Sequence, residues 1–485
     1  MSKYFSTFLR YSMKIVIFFI TMFTVLIPLY FMYDSRKLIL PLFTLVLISF
    51  ATYVYINNLF NLRYRISNLF KKNIILYILL LGFFLRLLWV LLVPSKPISD
   101  FELMYNSAAS VAQGNYEVFQ GTSYFARFSH NTIAVLYYSI FYNFTKNPLL
   151  IIKIFNVFFQ TMAVYAMYLL IHELYNDKKI ARYSAFFMSI FPPFIMYCGQ
   201  VVSENMAIPF YILSVYYYFK SLHKEKSWLL AILAGLLLSI GNLFRMVGMV
   251  FVIAYLMYTL IYEGYKKFFI TYIPLLLAFL IPLWLTSYSL LHKNITDTHL
   301  WNSKEPYHTS ILKGTNIKTL GRWNEEDAIL PDKFNYDTEM VKEASIKVIK
   351  ERLTSTPVYV LLPFYIGKLV FQWGLGDYGA FGWTVPTADS TLITNFLNSN
   401  EAMIMVICNF ALVILLLKIL KKINKSQTLQ SFDYFFIILF AGYVLLYLIT
   451  EMQPRYAFIV AWIFIPIAMS SNIDSIKKHT DVNIA

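Results

Sequence analysis

Residues 73–105 read "NIILYILLLGFFLRLLWVLLVPSKPISDFELMY". The first part, residues 73–93, is apolar apart from Asn73 and Arg86, and it is as long as the roughly 20 residues that a helix needs to cross a bilayer. A proline-rich turn ends the apolar run, and two acidic residues, Asp100 and Glu102, follow at once. The stretch therefore predicts a membrane-spanning helix that is followed by two carboxylates at the membrane surface.

The composition of the whole chain also indicates a membrane protein. The 485 residues are 59% hydrophobic and only 14% charged, whereas soluble domains carry about 25% charged residues. The two cysteines, Cys198 and Cys408, lie in apolar surroundings and belong to no metal-binding or redox motif. We therefore predict an all-α polytopic membrane protein.

The apolar runs predict twelve transmembrane helices. The stretch 227–262 is too long for one crossing, and it is expected to fold as a hairpin that turns at "GNLFR" (241–245). The run 131–145 is too short to span, which favours an interfacial or re-entrant helix. The predicted spans lie near residues 14–33, 38–57, 73–93, 148–172, 179–197, 205–220, 227–244, 246–262, 268–290, 401–421, 433–450 and 455–471.

The distribution of charge predicts the orientation. The chain has a net charge of +15, and the short loops on one side of the predicted spans hold half of its Lys and Arg but only a quarter of its Asp and Glu. By the positive-inside rule this side is cytoplasmic and includes both termini. The same distribution argues against a nucleic-acid-binding patch. These loops are 1–14, 61–73, 173–182, 220–226, 263–267, 418–433 and 474–485.

The chain divides into four predicted parts. Residues 1–72 supply two N-terminal transmembrane helices and a basic cytoplasmic loop. Residues 73–290 form a transmembrane core with a first outer loop at 94–147. Residues 291–400 form an extracytoplasmic segment. Within it, residues 335–353 are expected to be helical, with an apolar face at Met340, Ala344, Val348 and Leu353, and the apolar residues 358–373 are expected to form an interfacial helix. Residues 401–485 supply the C-terminal transmembrane helices and a cytoplasmic tail.

The motif "SDFE" (99–102) opens the first outer loop. Ser99 followed three residues later by Glu102 is typical of a capping box, which predicts a short surface helix from about 100 to 113. Asp100 is not needed for this cap. It either complements the helix dipole or stands where a carboxylate can take a proton from an acceptor hydroxyl.

A second acid lies in "GQVVSEN" (199–205), at the outer end of a predicted span. A carboxylate is costly there unless it is partnered or functional, so Glu204 is a candidate site residue. Gln200 and Ser203 lie within about one turn of it. The alternative is a solvated acid at a helix end.

Three basic residues are predicted at the same level as these acids. Arg245 lies in the hairpin turn, Lys368 in the apolar segment 358–373, and Arg455 at the start of the last span. A guanidinium group suits a phosphate or pyrophosphate, whereas the alternative for each cation is snorkelling to lipid headgroups. Together with the acids, they predict a site for a phosphate-bearing lipid.

No metal or cofactor is predicted. The acidic run Glu325, Glu326 and Asp327 lacks metal-ligand spacing, which favours a solvated surface run. The chain also lacks a Walker motif, a dinucleotide fingerprint, HExxH and GxSxG.

Several of these features occur together in a known family. The first-loop acid Asp100, the stretch from Pro192 to Glu204, "AGLLLSIGNLFR" (234–245) and the dipeptide Arg455–Tyr456 stand in this order. Over about residues 73 to 470, the chain resembles the GT-C membrane glycosyltransferases. The resemblance is to the polyprenyl-phosphate-sugar family, glycosyltransferase family 39, which includes protein mannosyltransferases and the lipid A aminoarabinose transferase. The loop that begins "LKGTN", followed by "IGKLVFQW", is similar to bacterial members.

The resemblance implies a GT-C fold and an extracytoplasmic site in the plasma membrane. The sugar would pass from a polyprenyl phosphate, undecaprenyl phosphate in a bacterium, to a cell-envelope polysaccharide, teichoic acid, lipid or protein, with inversion expected. It implies that Asp100 is the catalytic base and Glu204 the second-loop acid. Arg245, Lys368 and Arg455 would bind the donor phosphate, whose charge needs no metal.

Glu102, Gln200 and Tyr456 are the remaining candidate contacts to substrate. The chain departs from the family in two respects: two spans precede the usual first helix, and "SDFE" stands where some relatives have two adjacent acids. The second departure leaves the role of Glu102 open.

The alternative functions are a lipid-linked sugar flippase or transporter and a non-catalytic protein of envelope polymer assembly. Transporters usually show paired repeats and interrupted helices near the bilayer midplane. The sequence shows no paired repeat, and its candidate site is expected at the rim of the membrane.

Overall fold

The computed structural model describes residues 2–34, 73–223, 227–425 and 429–469. Within these ranges the protein is helical, and the β-type pairing is limited to an isolated bridge between Ser95 and Ala388. The longer helices are α1 (Ser2–Asp34), α2 (Ile74–Leu92), α3 (Asp100–Ala112), α4 (Thr132–Tyr142), α5 (Leu149–Tyr175), α6 (Lys178–Ile190), α7 (Glu204–His223), α8 (Ser227–Phe244), α9 (Met249–Tyr258), α10 (Ile273–His292), α11 (His308–Gly314), α12 (Thr338–Ser355), α13 (Val358–Trp373), α14 (Leu392–Ser399), α15 (Glu401–Asn424) and α16 (Ser431–Ile449).

The predicted class, an all-α polytopic membrane protein, is confirmed. Seven helices among the described residues are long and apolar enough to cross a membrane, or eight if the bent pair α12 and α13 counts as one span. The predicted number of twelve is not reached among these residues. The predicted span 38–57, most of the basic loop 61–73 and the tail 474–485 lie outside the described residues.

Two predicted spans are interrupted rather than continuous. The segment 179–197 stops being a single helix because α6 ends at Ile190, before Pro192 and Pro193. The segment 455–471 consists, as far as Met469, of short helices only. Apolar composition alone could not distinguish these broken helices from straight spans.

The centre of the bundle is α7, nearly all of whose residues are buried, and it packs on α5 and α8. Helix α8 packs in turn on α10, and Gly235 permits their close approach. A Cβ atom at position 235 would lie 2.2 Å from the carbonyl oxygen of Leu275 and 2.8 Å from Cβ of Ala278. Close backbone contact at a small residue is typical of membrane helix pairs. This contact holds α8 against α10. Arg245 is the residue that directly follows the end of α8 at Phe244.

Arg86, the charged residue in the apolar run 73–93, has a structural role. Its guanidinium Nη1 donates to the carbonyls of Gly82 and Ser189 at 2.9 Å, and Nη2 donates to that of Met188 at 3.1 Å. The last carbonyls of a helix have no intrahelical partner. Arg86 therefore closes the end of α6 and joins it to α2.

The first outer loop contains the predicted surface helix, now seen as α3. Its predicted apolar face is buried, with Phe101 4% and Ala108 0% exposed, and α4 packs against it. The predicted capping box is wrong. Ser99 has φ 53° and makes no side-chain cap, because this backbone conformation does not aim its hydroxyl at the third amide of the helix.

The extracytoplasmic segment 291–400 contains helices at both predicted places. The helix expected at 335–353 is α12, although it packs through Val341 and Ser345 rather than the predicted face, and Met340 is 52% exposed. Helix α13 follows at an angle of 116° to α12. The break falls at Thr356 and Pro357, because a residue that precedes proline avoids the helical region.

Candidate active site

Helix ends that the sequence predicts to be extracytoplasmic converge on one cavity of about 970 Å³. We define the floor of this cavity as five lining residues at or next to helix ends: Asp100, Glu204, Arg245, Arg455 and Tyr456. Most of the remaining lining comes from the first outer loop and from the segment 301–342, and a smaller part comes from Ser203, Val247 and residues within 447–453. Most of the predicted site residues therefore come together, although they are distant in sequence.

Asp100 lies at the surface of the cavity, with its side chain 39% exposed. Its Oδ1 accepts a hydrogen bond of 2.9 Å from the hydroxyl of Tyr124, and its Oδ2 lies 3.5 Å from Nη2 of Arg455. Burial, and then the charge of Asp100, raise the pKa of Tyr124, so this hydroxyl remains a donor. The carboxylate is oriented but still accessible to a substrate.

Arg455 is buried among aromatic rings. Its guanidinium carbon lies 4.7 Å from the ring centre of Phe101 and 5.0 Å from that of Trp383. Nε and Nη1 have no hydrogen-bond partner among the described residues, although each can donate. The floor thus contains a buried cation with unused donors, which is an arrangement suited to an anion.

A second ion pair adjoins the first. Nε of Arg245 lies 3.5 Å from Oε1 of Glu204, whose side chain is 3% exposed. The ring of Tyr456 is near both guanidinium groups, with its centre 5.5 Å from the carbon of Arg245 and 5.5 Å from that of Arg455. The floor therefore combines two ion pairs with one aromatic ring.

His130 is a site residue that the sequence analysis missed. It lines the cavity in the first outer loop. Burial, and then the charge of Arg245, lower its pKa to about 3, although Asp100 partly opposes this shift. The imidazole is therefore neutral at physiological pH and can both donate and accept a hydrogen bond. A single histidine in a loop carries no sequence pattern that would have identified it.

Further charged residues line the cavity above the floor, and the sequence analysis missed these as well. Lys313 lies 3.9 Å from Oε1 of Glu305 and 3.7 Å from Oε2 of Glu451. Nη1 of Arg127 lies 3.4 Å from Oε2 of Glu305. The hydroxyl of Tyr456 donates to Glu451 at 3.2 Å, so this group connects the outer loops to the floor.

Three predicted site residues are not brought to the cavity. Lys368 is 1% exposed, and its Nζ donates to three backbone carbonyls at 2.6 to 2.9 Å. Gln200 is fully buried, and its amide donates to the carbonyls of Lys96 and Trp383. Glu102 is exposed and lies outside the lining. The structure therefore does not support Lys368 as a phosphate ligand or Gln200 and Glu102 as substrate contacts.

The acidic run Glu325, Glu326 and Asp327 was predicted to be solvated, and this prediction is correct for two of its three residues. Glu325 and Glu326 are exposed, but Asp327 is 4% exposed and pairs with Arg352 at 2.7 Å. Across the residues that the structure describes, no group of three or more His, Cys, Asp or Glu side chains could hold a metal ion.

The comparisons with known proteins bear on this site. A family model described as dolichyl-phosphate-mannose-protein mannosyltransferase matches residues 130–292. No curated protein matches the chain at a significant level. Among solved structures, the archaeal oligosaccharyltransferase AglB from Archaeoglobus fulgidus, in complex with an inhibitory peptide and a dolichol-phosphate, is similar at 13% identity and a TM-score of 0.39.

The similarity to AglB covers 85% of this chain and 52% of that one, so this chain spans about half the length of its structural relative. At this TM-score the likeness carries no argument. The family match is more informative, because residues 130–292 include His130, Glu204 and Arg245. This match confirms the resemblance of the chain to the GT-C membrane glycosyltransferases.

Proposed function

We propose that the protein transfers a sugar from a polyprenyl phosphate, undecaprenyl phosphate in a bacterium, to a cell-envelope acceptor. The reaction would take place at the outer face of the plasma membrane, with both termini in the cytoplasm. The description of the matching family, which names a dolichyl-phosphate-linked mannose, supports a lipid-phosphate donor. The acceptor would be the hydroxyl of a polysaccharide, teichoic acid, lipid or protein.

Arg455 is the observation that carries this proposal. It is 6% exposed, and Nε and Nη1 have no partner among the described residues. A buried cation with unused donors is costly unless an anion completes it. It lies beside the carboxylate of Asp100, so a phosphate that accepts a hydrogen bond from one of these unused donors would place the attached sugar close to that carboxylate.

This geometry supports a direct displacement. Asp100 takes the proton of the acceptor hydroxyl, whose oxygen forms a bond to the anomeric carbon of the sugar. The bond from that carbon to the phosphate oxygen breaks, and its electron pair leaves with the phosphate. Attack opposite the leaving group inverts the anomeric configuration. Arg455 stabilises the charge that develops on the phosphate.

The second ion pair supports the same reaction. Arg245 pairs with Glu204 and, like Arg455, lies near the ring of Tyr456. In the proposed complex it is the second cation near the phosphate, and Glu204 sets its position. Two guanidinium groups supply the positive charge that a metal ion provides in many other transferases, so EDTA should leave the rate unchanged.

The test is transfer by purified protein. Undecaprenyl-phosphate sugars of several kinds are supplied with washed membranes as the source of acceptor, and released undecaprenyl phosphate is measured. We expect release from one of the donors, with loss of release in the Asp100→Asn variant. Donor movement across vesicles without release would contradict the proposal and favour the flippase.

A further inference from the structure

The lining of the cavity also contains exposed aromatic side chains from the outer segment. We define the aromatic wall as Trp301, Tyr307 and Trp323, which line the cavity and are 50%, 72% and 57% exposed. The ring of His299 stacks on Trp301 at 4.6 Å and 7°, and the ring of His308 stacks on Tyr307 at 4.1 Å. Large flat side chains are therefore supported on one face and accessible to a ligand.

The cations of the outer segments that line the cavity already have carboxylate partners. Glu305 lies within 3.9 Å of both Arg127 and Lys313, and Lys342 pairs with Glu339 at 2.9 Å. By contrast, the exposed carboxylate of Glu325 lines the cavity and has no ion-pair partner among the described residues. The lining at the wall therefore offers ring faces and a free hydrogen-bond acceptor, whereas the charges of its cations are balanced by carboxylates.

We propose that the aromatic wall, with Glu325, is the acceptor subsite and that the acceptor is a neutral saccharide. This inference rests on the proposed function and narrows its acceptor. The C–H face of a sugar ring packs on an aromatic ring, and its hydroxyls donate to a carboxylate. The cavity volume of about 970 Å³ lies near the top of the range for small-molecule sites, about 300–1,000 Å³, which leaves room for a donor sugar and an acceptor sugar together.

A peptide acceptor fits this wall less well. Extended peptides commonly bind by adding a strand to a free sheet edge. In the part of the chain that the structure describes, the β-type pairing is limited to the bridge between Ser95 and Ala388, and neither residue lines the cavity. The contacts available at the wall are side-chain rings and carboxylates, which recognise sugars.

The first arm of the test compares full-length variants. The Trp301→Ala and Trp323→Ala double variant is compared with Trp284→Ala, which removes a tryptophan that is 52% exposed on α10 and outside the lining. Purified protein and a radiolabelled donor are added to membranes from cells that lack this chain. We expect the ratio of transfer to hydrolysis of the donor by water to fall at least about tenfold for the double variant and to stay unchanged for Trp284→Ala.

The Glu325→Gln variant checks the wall without removing a ring. It should raise the KM for the acceptor with little change in kcat, since it weakens only the contact to the sugar hydroxyl. Unchanged ratios in the tryptophan double variant together with an unchanged KM in this variant would overturn the acceptor subsite.

The second arm identifies the product. Partial acid hydrolysis of the labelled product should release a labelled disaccharide, and protease digestion should leave its size unchanged. Partition into chloroform–methanol then separates a lipid-linked saccharide from a polysaccharide. A labelled glycopeptide or a labelled product without a disaccharide would overturn the inference. A wild-type protein that releases no lipid phosphate from any donor would instead refute the proposed function itself.

Discussion

Arg455 shows how one side chain can serve two partners. Nη2 lies 3.5 Å from Asp100, while Nε and Nη1 have no partner in the described structure. The long distance to Asp100 means that this ion pair is weak enough to coexist with a second anion. One guanidinium can therefore contact both the carboxylate base and the donor phosphate.

The Arg455→Ala variant tests this connection. Loss of a charge-assisted contact should cost about 1.5–3 kcal/mol, which corresponds to about a ten- to hundredfold loss of donor affinity. Arg455→Lys should restore only part of it, because an ammonium cannot make a bidentate contact. Affinity is measured by titration with the lipid donor.

Lys368→Met serves as the contrast. Because Lys368 binds three backbone carbonyls, its loss should lower the melting temperature of the protein. Normal donor affinity in a folded Arg455→Ala protein would remove this residue from the site.

Asp100→Asn tests the proposed base. The change keeps the size of the side chain but removes its basicity, so turnover should fall by about 10²–10⁴, while donor binding and the melting temperature stay close to those of the wild type. Glu102→Gln is the matched control, because Glu102 is exposed and outside the cavity. It should retain its activity. An inactive Glu102→Gln protein beside an active Asp100→Asn protein would reverse the assignment.

At the scale of the secondary-structure elements, one buried ion pair joins α12 to the loop that precedes it in the extracytoplasmic segment. Arg352 on α12 holds Asp327 with two hydrogen bonds of 2.7 and 3.1 Å, and Asn316 and Asn324 each donate to the same carboxylate at 3.0 Å. Asn324 directly follows Trp323, so this cluster adjoins one residue of the aromatic wall in the sequence. Burial alone would raise the pKa of Asp327, but these hydrogen bonds outweigh burial and lower it.

Asp327→Asn should therefore destabilise this segment by about 1.5–3 kcal/mol at neutral pH. The folded-state pKa lies below the ordinary value of about 3.9, so the contribution is fully present above that value and is lost as the pH falls through the folded-state pKa. The rate of limited proteolysis, measured from pH 7 to pH 3, should show the difference between variant and wild type shrinking below about pH 4. Glu326→Gln, at the exposed neighbouring acid, should behave as the wild type. A difference that stays constant down to pH 3 would contradict the role of the charge.

For the whole molecule, the orientation in the membrane can be tested with single cysteines. Cys198 and Cys408 are 0% and 1% exposed, so the native chain should not react with an impermeant thiol reagent. Ser355→Cys lies at an exposed position of the outer segment and should react in intact cells. Lys178→Cys, exposed at the start of α6, should react only after permeabilisation. The opposite pattern would place the cavity in the cytoplasm.

The sequence was sufficient to predict the helical class, many of the spans and half of the site. Run length and apolar composition determine which segments span, and the charge bias places the ends of those spans on one side. For this reason Asp100, Glu204, Arg245 and Arg455 could be expected to meet. The sequence could not show that Lys368 lies outside the site. A lysine in an apolar segment has the same sequence signature whether it binds backbone carbonyls or a phosphate.

The rest of the site depends on contacts between distant loops. Arg127 and Glu305 are 178 positions apart, and neither lies in a periodic pattern that would predict its direction. The cap at Ser99 failed for a related reason, since its φ of 53° is imposed by the surrounding fold rather than by the local motif. The sequence thus predicts the elements well and the loop contacts poorly.

The contact between Asp100 and Arg455 bears on how the total charge in the cavity changes during the transfer reaction. In the proposed reaction the donor phosphodiester carries one negative charge and Asp100 carries another. After transfer Asp100 holds the proton and is neutral, while the released phosphate monoester, with a second pKa of about 6, carries close to two charges. The total charge that faces the two arginines is therefore nearly the same before and after the chemistry, so the step is isocoulombic. No counterion has to enter or leave a partly dehydrated cavity, and single-turnover rates at saturating donor should be insensitive to ionic strength even though donor binding is not.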